Sequence, residues 1–217
     1  MMTRTEQPPL LTPDSVLHRA SERLAVRFDG IFSEETVERV VFESYTALAR
    51  TATVNTHLPS LATRFAQDRL MALAQSKGAI AKPVPEVLFV CVQNAGRSQM
   101  AAAYLRELGG DRIHVRSAGS QPASDLGTSV VQVMTEAGID LSHEFPKPLT
   151  DDVVRAADVV ITMGCGDACP VYPGKQYLDW HLDDPDVLTL DGVRRVRDQI
   201  RSNVEHLLHS LEAAPHE

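Results

Sequence analysis

The sequence predicts an α/β fold, in which an open parallel sheet carries helices on both faces, preceded by a small all-α domain of three helices. Three observations support this. From residue 87 onward, short runs of apolar and β-branched residues alternate with helical segments. The last segment places apolar residues on one helical face from about Leu190 to Leu211. Before residue 79 only helical spacing of apolar residues occurs, which predicts a separate bundle.

Composition and charge restrict the class of protein. Of the 217 residues, 43% are hydrophobic and 23% charged, as in globular proteins that bury a sizeable core. The net charge of −8 argues against non-specific nucleic-acid binding and leaves no basic tract for an anionic membrane. Residues 1–12 lack the apolar core of a signal peptide, and no stretch is long enough to span a bilayer, so we expect a cytoplasmic protein. In that reducing compartment, three cysteines indicate catalysis or redox exchange.

The N-terminal part is predicted to be a flexible tail, residues 1–12, followed by a three-helix bundle over residues 13–78. Pro13 suits the first turn of a helix, and Ser33 is a good N-cap for the second. The third helix is expected to start after a Pro-Ser pair and to end near Gly78. The bundle carries no motif chemistry and has a thin core, so we expect it to mediate homodimerisation. A helical cap on the second domain is the alternative.

A linker over residues 79–86 is predicted because two prolines stand one residue apart. The second domain then spans residues 87–212, with residues 213–217 as a tail. Its expected strands are short and mostly apolar: 87–90, 113–117, 158–163 and 176–180. Before the terminal helix, two helices are expected, over 99–108 and from Ser124 or Asp125 to about Ala137. In such sheets, ligands bind beyond the carboxyl ends of the strands.

The first strand runs directly into Cys91, and a five-residue loop then leads to Arg97 and Ser98 at the start of a helix. Loop amides and the positive end of the helix dipole converge there on a tetrahedral anion, which Arg97 would clamp through two N–H groups. The same field favours the thiolate form of Cys91. This pattern predicts nucleophilic attack on phosphate or a chemical relative. The alternative is a buried structural cysteine beside an ordinary helix start.

Two further cysteines, Cys165 and Cys169, follow the third predicted strand and so lie at the same sheet edge as Cys91. Glycines on both sides of Cys165 would let this segment move. Mobility matters because a disulfide requires Cα atoms roughly 4.4 to 6.8 Å apart. We therefore predict redox participation for both. Two unpaired loop thiols, or a zinc site with His181, are the alternatives, although no four-ligand spacing occurs.

An acidic segment follows the fourth predicted strand and contains Asp184 directly before a proline, which holds its backbone extended. Acidic residues of this segment are predicted to protonate the oxygen that leaves when Cys91 attacks. An ordinary acidic surface turn is the alternative.

Residues 87 to about 211 resemble the low-molecular-weight protein tyrosine phosphatase superfamily. The motifs that carry the resemblance are the loop 91–98, Ser117-Ala118-Gly119, Gly138-Ile139-Asp140, the strand 158–163 and Asp184-Pro185. Within the superfamily, the segments 94–101 and 163–170 are most similar to thiol-dependent arsenate reductases. The N-terminal helices resemble an extension found on some actinobacterial members.

This resemblance implies a four-stranded parallel sheet and arsenate as the substrate. Arsenate would be held by Val92, Gln93, Asn94, Ala95, Gly96, Arg97 and Ser98. The resemblance also implies an order of steps: Cys91 attacks arsenic while Asp184 protonates the departing water, and Cys165 then attacks the adduct and releases arsenite. Cys169 would pass the resulting disulfide to the surface, where thioredoxin reduces it. No cofactor is implied.

Two departures from the family pattern leave alternatives open. Ala102 stands where some members bind potassium through a glutamate, so we expect no metal site. Cys165 and Cys169 are closer together than in the better-known three-cysteine members, as in relatives that use a small thiol such as mycothiol. A tyrosine phosphatase is a second alternative, which Asp186-Val187-Leu188 disfavours because it supplies no aromatic wall. A non-enzymatic anion-sensing or interaction protein is the third.

Overall fold

The computed structural model describes residues 12–53, 57–164 and 169–213, in which three helices precede a sheet and its covering helices. The N-terminal helices are Pro13–Arg27 (α1), Glu34–Ala49 (α2) and Leu58–Ser76 (α3). The strands are Glu86–Cys91 (β1), His114–Gly119 (β2), Val159–Met163 (β3) and Gln176–Asp179 (β4). The remaining helices are Arg97–Gly109 (α4), Thr128–Glu136 (α5), Asp151–Ala156 (α6) and Leu190–Ala213 (α7). Residues 1–11 and 214–217 of the predicted tails lie outside the described residues.

The four strands pair in parallel in the order β2-β1-β3-β4, so the predicted parallel α/β sheet is confirmed. β1 lies inside the sheet and is buried along its whole length, because helices cover both faces. Its last residue, Cys91, pairs with Gly119 on β2 and with Met163 on β3. The carboxyl ends of three strands therefore meet at one edge, which is where this class of sheet binds ligands.

The pleat of β1 divides the core into two apolar layers. Val87 and Phe89 pack with residues of α4, α5 and α7. Leu88 and Val90 face the other way and pack with residues of α6. Ala72 on α3 joins this second layer, so the N-terminal bundle packs directly against the α/β part.

Local signals explain where the N-terminal helices begin. Ser33 caps α2, as the sequence predicts, because its Oγ accepts a hydrogen bond from the N–H of Thr36 at 3.2 Å. Thr12 caps α1 in the same way, and a proline follows it in the first turn. α3 begins at Leu58, slightly before its predicted start, because Pro59 fits in the first turn, where a missing N–H costs little.

The start of α5 differs from the prediction. The helix begins at Thr128 after Gly127, and neither Ser124 nor Asp125 caps it. Asp125 is engaged elsewhere, since its Oδ2 accepts a hydrogen bond from Thr53 at 3.3 Å. The N–H of Gly127 donates to a carbonyl of the loop after β1, which ties this stretch to the loop before the helix can start.

Helix α6 is absent from the sequence prediction. It has only six residues, fewer than two turns, so its buried pair Val153 and Val154 gives no helical periodicity. β4 is one residue shorter than predicted and ends before Trp180. The indole ring packs against Phe89 instead, with ring centroids 5.6 Å apart.

Polar contacts also join the bundle to the sheet. Arg69 on α3 donates to Asp152 on α6 at 3.0 Å, and both side chains are largely buried. Arg116 on β2 pairs with Glu86 on β1 at 2.6 Å and donates to the carbonyl oxygen of Asp68 on α3 at 2.9 Å. In the part of the chain that the structure describes, no helix has the length and apolar character needed to cross a membrane.

Candidate active site

The loop after β1 wraps around the sulfur of Cys91. This residue ends β1, and only 2% of it is exposed. The backbone N–H of Asn94 donates to the sulfur at 3.2 Å, and the hydroxyl oxygen of Ser98 lies 2.9 Å from it. The sulfur is therefore in contact with polar groups at the sheet edge.

Side-chain hydrogen bonds behind the loop run in one direction toward that sulfur. Gln99 donates from Nε2 to Oδ1 of Asn94 at 3.1 Å. Asn94 then donates from Nδ2 to the hydroxyl oxygen of Ser98 at 2.8 Å. Because that oxygen accepts from Asn94, the hydroxyl proton of Ser98 is available to the sulfur of Cys91. The sequence assigns Asn94 and Ser98 to this loop, and the structure adds Gln99.

The backbone of Asn94 adopts the left-handed conformation, with φ of 49°, which is sterically disfavoured for a residue with a side chain. Gly119 at the end of β2 lies against this turn. A Cβ on Gly119 would stand 2.7 Å from the carbonyl oxygen of Val92 and 2.8 Å from the backbone nitrogen of Asn94. The loop therefore requires a glycine at position 119.

The N-terminus of α4 opens onto the same loop. Its N-cap is Gly96, and no described side chain caps the helix. The amides of the first turn thus keep donors for a bound anion, and the helix dipole favours negative charge there. Pro185 packs close by, since a Cβ on Gly96 would lie 3.4 Å from its ring.

Arg97 and Asp184 lie beside the loop and are paired with each other. Nη2 of Arg97 donates to Oδ2 of Asp184 at 3.1 Å, and Nη1 lies 3.4 Å from the carbonyl oxygen of Leu182. The arginine side chain is only one-tenth exposed, whereas that of the aspartate is almost half exposed. The structure therefore brings Cys91, Asn94, Arg97, Ser98 and Asp184 to one edge of the sheet.

Of the two later cysteines, only Cys169 lies within the described residues. Cys165 lies outside the described residues, so its predicted contact with Cys91 stays a prediction. Gly164 follows β3 directly in a left-handed conformation, and a Cβ on it would lie 3.2 Å from Nη1 of Arg97. The chain thus leaves β3 beside the arginine. Cys169 is buried with Ala72 and other residues of the second apolar layer.

The alternative zinc site includes Cys165, which lies outside the described residues. His181 is almost fully exposed and lies 3.5 Å from Asp179. Across residues 12–53, 57–164 and 169–213, no group of three or more histidine, cysteine or acidic side chains could hold a metal ion.

Sequence reasoning missed a segment that supports the loop from behind. The backbone N–H of Lys147 donates to Oδ1 of Asn94 at 2.8 Å, and the carbonyl oxygen of Phe145 accepts from Gln99 at 3.0 Å. Burial lowers the pKa of the Lys147 ammonium, and Glu144 at 3.0 Å only partly opposes this. No pattern in the sequence could have placed this irregular segment, because tertiary packing alone determines where it lies.

Two family models match the chain. Residues 86–216 match the low molecular weight phosphotyrosine protein phosphatase model, and residues 17–74 match the N-terminal domain described as protein-tyrosine-phosphatase-like. The first match covers more than half of the chain.

Relatives and solved structures agree with these matches. The chain is 40% identical over 125 residues to a putative arsenate reductase of Halobacterium salinarum, covering 55% of this chain and 87% of that protein. It is 37% identical over 129 residues to a glutaredoxin arsenate reductase of Synechocystis, covering 58% and 98% of the two chains. A thioredoxin-dependent arsenate reductase structure from Corynebacterium glutamicum superposes with a TM-score of 0.86 at 50% identity, over 93% of this chain and 98% of that one.

Proposed function

Because this chain belongs to the low molecular weight phosphotyrosine protein phosphatase family, we propose that it reduces arsenate to arsenite. One observation carries the choice of arsenate over a phosphate ester. The structural likeness to the thioredoxin-dependent arsenate reductase of Corynebacterium glutamicum extends over 93% of the chain at 50% identity, and so includes both the helices and the sheet. The protein is an enzyme, and its nucleophile is Cys91.

Arsenate is held by the backbone amides of residues 92–98 and by the guanidinium of Arg97. The sulfur of Cys91 attacks arsenic, an arsenic–oxygen bond breaks, and Asp184 supplies the proton with which that oxygen leaves as water. The hydrogen bonds from Asn94 and Ser98 to the sulfur support this assignment, because they hold the sulfur inside the loop that would bind the anion.

The reduction itself needs a second thiol, which we assign to Cys165. Its thiolate attacks the sulfur of Cys91, so that a disulfide forms while the sulfur–arsenic bond breaks and its electron pair stays on arsenic. The product is arsenite, and the two electrons come from two thiols. The position of Gly164 beside Arg97 supports this step, because Cys165 is the next residue along the chain.

Cys169 completes the relay in our proposal. It attacks Cys165, freeing Cys91, and thioredoxin then reduces the disulfide between the two later cysteines. Cys169 is buried against the α6 side of the sheet, so its segment has to move before thioredoxin can reach it. A chain of reduced thiols requires a reducing compartment, and we therefore propose that the reaction takes place in the cytoplasm.

We also propose that residues 13–78 mediate homodimerisation. Val26 on α1 is the position chosen to test this, because its side chain is 79% exposed and a charge there leaves the bundle core intact. Sedimentation equilibrium of the full chain tests the proposal, with Val26→Glu as the variant. A dimer that dissociates in this variant is the expected result, and a wild-type monomer at high micromolar concentration contradicts it.

The decisive experiment for the reaction is arsenate-dependent NADPH oxidation, run with thioredoxin and thioredoxin reductase and, separately, with mycothiol and its reductase system. Turnover with thioredoxin that disappears in Cys91→Ser is expected, because serine's hydroxyl stays protonated in the same loop. A third arm supplies p-nitrophenyl phosphate. Efficient hydrolysis of this ester without arsenate turnover would show that the protein is a phosphatase and that the proposed reductase activity is wrong. Turnover with mycothiol but not with thioredoxin would show that the relay through Cys169 is not used.

A further inference from the structure

A short irregular segment, residues 143–147, contacts both the N-terminal bundle and the loop that holds Cys91. On the bundle side, the ring of Phe145 belongs to the apolar core formed by α1, α2 and α3 and is 8% exposed. The guanidinium of Arg64 on α3 lies 5.4 Å from the centre of this ring and donates to the carbonyl oxygen of His143 at 3.0 Å. A side chain from the α/β part thus completes the core of the bundle.

The backbone of the same segment supports the loop. The carbonyl oxygen of Phe145 accepts from Gln99 at 3.0 Å, and the N–H of Lys147 donates to Oδ1 of Asn94 at 2.8 Å. The carbonyl oxygen of Lys147 accepts in turn from the N–H of Gly119 at 2.8 Å. Gln99 and Asn94 are wholly buried, so water does not replace these partners when one of them shifts.

These contacts matter because Asn94 is held in a conformation that its own side chain disfavours. Such a residue keeps its φ only where the surroundings determine it. Oδ1 of Asn94 accepts from Gln99 and from the backbone of Lys147, and both donors are fixed by the 143–147 segment. That segment has no helix or strand of its own, so its position depends on its anchors. Phe145 is the apolar anchor.

We propose that Phe145 is a positioning residue for the anion-binding loop, through which the packing of the N-terminal bundle sets oxyanion affinity and the reactivity of Cys91. The coupling runs from the ring of Phe145 through its carbonyl oxygen to Gln99, then to Asn94 and to the sulfur. The role of Cys91 in this statement rests on the proposed function. The bundle then helps to hold the anion-binding loop in position, in addition to any role in dimerisation.

The test compares Phe145→Ala with Leu17→Ala, which removes a similarly buried side chain from α1 in the same bundle core. Two readouts need no arsenate turnover: the dissociation constant of inorganic phosphate, and the rate at which iodoacetamide alkylates Cys91, followed by peptide mass spectrometry. We expect Phe145→Ala to weaken phosphate binding about tenfold and to slow alkylation, as loop misplacement does. Phe145→Leu should restore most of both values.

Leu17→Ala should lower the melting temperature by a similar amount and leave both readouts unchanged. Equal readouts in Phe145→Ala and wild type, or equal losses in Leu17→Ala, would overturn the proposal. Should Phe145→Ala fail to fold, Arg64→Ala removes the exposed part of the same anchor, and a smaller loss of phosphate affinity is expected. No loss in that variant would overturn the proposal as well.

A double-variant cycle tests the route. Gln99→Leu removes the donor that links Phe145 to Asn94. If the two residues act along one path, Phe145→Ala combined with Gln99→Leu binds phosphate no more weakly than Gln99→Leu alone, whereas multiplied losses contradict the route. If the wild type does not reduce arsenate, the proposed function is wrong, but the phosphate-binding and alkylation measurements still test the role of Phe145.

Discussion

The guanidinium of Arg97 donates to the carboxylate of Asp184 across 3.1 Å, beside the loop that surrounds Cys91. The two partners are unequal, because the arginine side chain is one-tenth exposed and the aspartate almost half exposed. An ion pair with one exposed partner contributes little, on the order of 0.5 to 1 kcal/mol. A bound oxyanion that accepts hydrogen bonds from two N–H groups of the guanidinium interacts with Arg97 more strongly than Asp184 does. In our proposal Asp184 therefore competes for Arg97 as a carboxylate. Once the bound oxyanion has displaced it, Asp184 takes up a proton from solvent and supplies that proton to the leaving oxygen.

This double role predicts that binding and turnover respond in opposite directions to Asp184→Asn. Turnover of arsenate should fall by a factor on the order of 10² to 10⁴, the usual contribution of a proton donor. Phosphate affinity should rise about two- to fivefold, because the competing ion pair is gone. Steady-state kinetics and isothermal titration with phosphate measure the two effects. Asp183→Asn, which removes the neighbouring carboxylate, should change neither, and equal losses in both variants would argue against a specific donor.

A second prediction concerns Gly119, whose missing side chain leaves room for the turn at Asn94. In Gly119→Ala the new methyl group would stand 2.7 Å from the carbonyl oxygen of Val92, closer than atoms approach without a shift of backbone. We expect phosphate binding to weaken at least tenfold, since the loop amides must move away. Gly109→Ala is the matched control, because its methyl group would meet Ile113 at an ordinary 3.6 Å. Retained phosphate affinity in Gly119→Ala would show that the loop tolerates the displacement.

The parts of the site that the sequence could predict are those in which chemistry follows directly from neighbours along the chain. Cys91 ends a strand of apolar residues and Arg97 begins a helix, so their proximity results from a single strand–loop–helix unit. Phe145 and Lys147 give no such signal. They support the same loop from a segment more than forty residues further along the chain, and only packing between the bundle and the sheet brings them there.

The predicted positions of two helices were wrong or missing for a similar reason. Asp125 has the side chain of an N-cap, but Thr53 from the N-terminal part takes its carboxylate, and α5 starts three residues later. Helix α6 is too short for periodicity to reveal, although it covers one face of the sheet. In both cases a tertiary contact overrides, or replaces, the local preference.

A third prediction follows from Glu86, the first residue of β1, whose side chain is wholly buried. Burial alone would raise its pKa, but the imidazole of His114, 3.2 Å from Oε2, and the charge of Arg116 outweigh burial and hold the pKa below its usual range. The ionised carboxylate therefore stabilises the folded state above the unfolded pKa of about 4.3. This contribution is lost as the pH falls through the lower folded pKa.

We accordingly expect Glu86→Gln to cost roughly 3 kcal/mol in the free energy of unfolding at pH 7, as when one partner of a buried ion pair is removed. The cost should shrink as the pH is lowered below about 4.3. Urea denaturation at several pH values from 3 to 7 measures both. Glu107→Gln, which removes an exposed carboxylate on α4, controls for net charge. A cost for Glu86→Gln that does not change with pH would show that Glu86 is protonated in the folded protein.

The last prediction separates the cysteine relay from a small-thiol mechanism. In the relay, Cys169→Ser leaves Cys91 and Cys165 able to form one disulfide, which thioredoxin does not reach, so the enzyme should release about one arsenite per chain and stop. Rapid-quench measurement of arsenite against enzyme concentration detects this burst, and Cys91→Ser should show none. Continued turnover of Cys169→Ser with thioredoxin would mean that the relay ends at Cys165. Undiminished turnover with mycothiol, in contrast, would mean that arsenic leaves on an external thiol and that the buried position of Cys169 reflects packing against α6 alone.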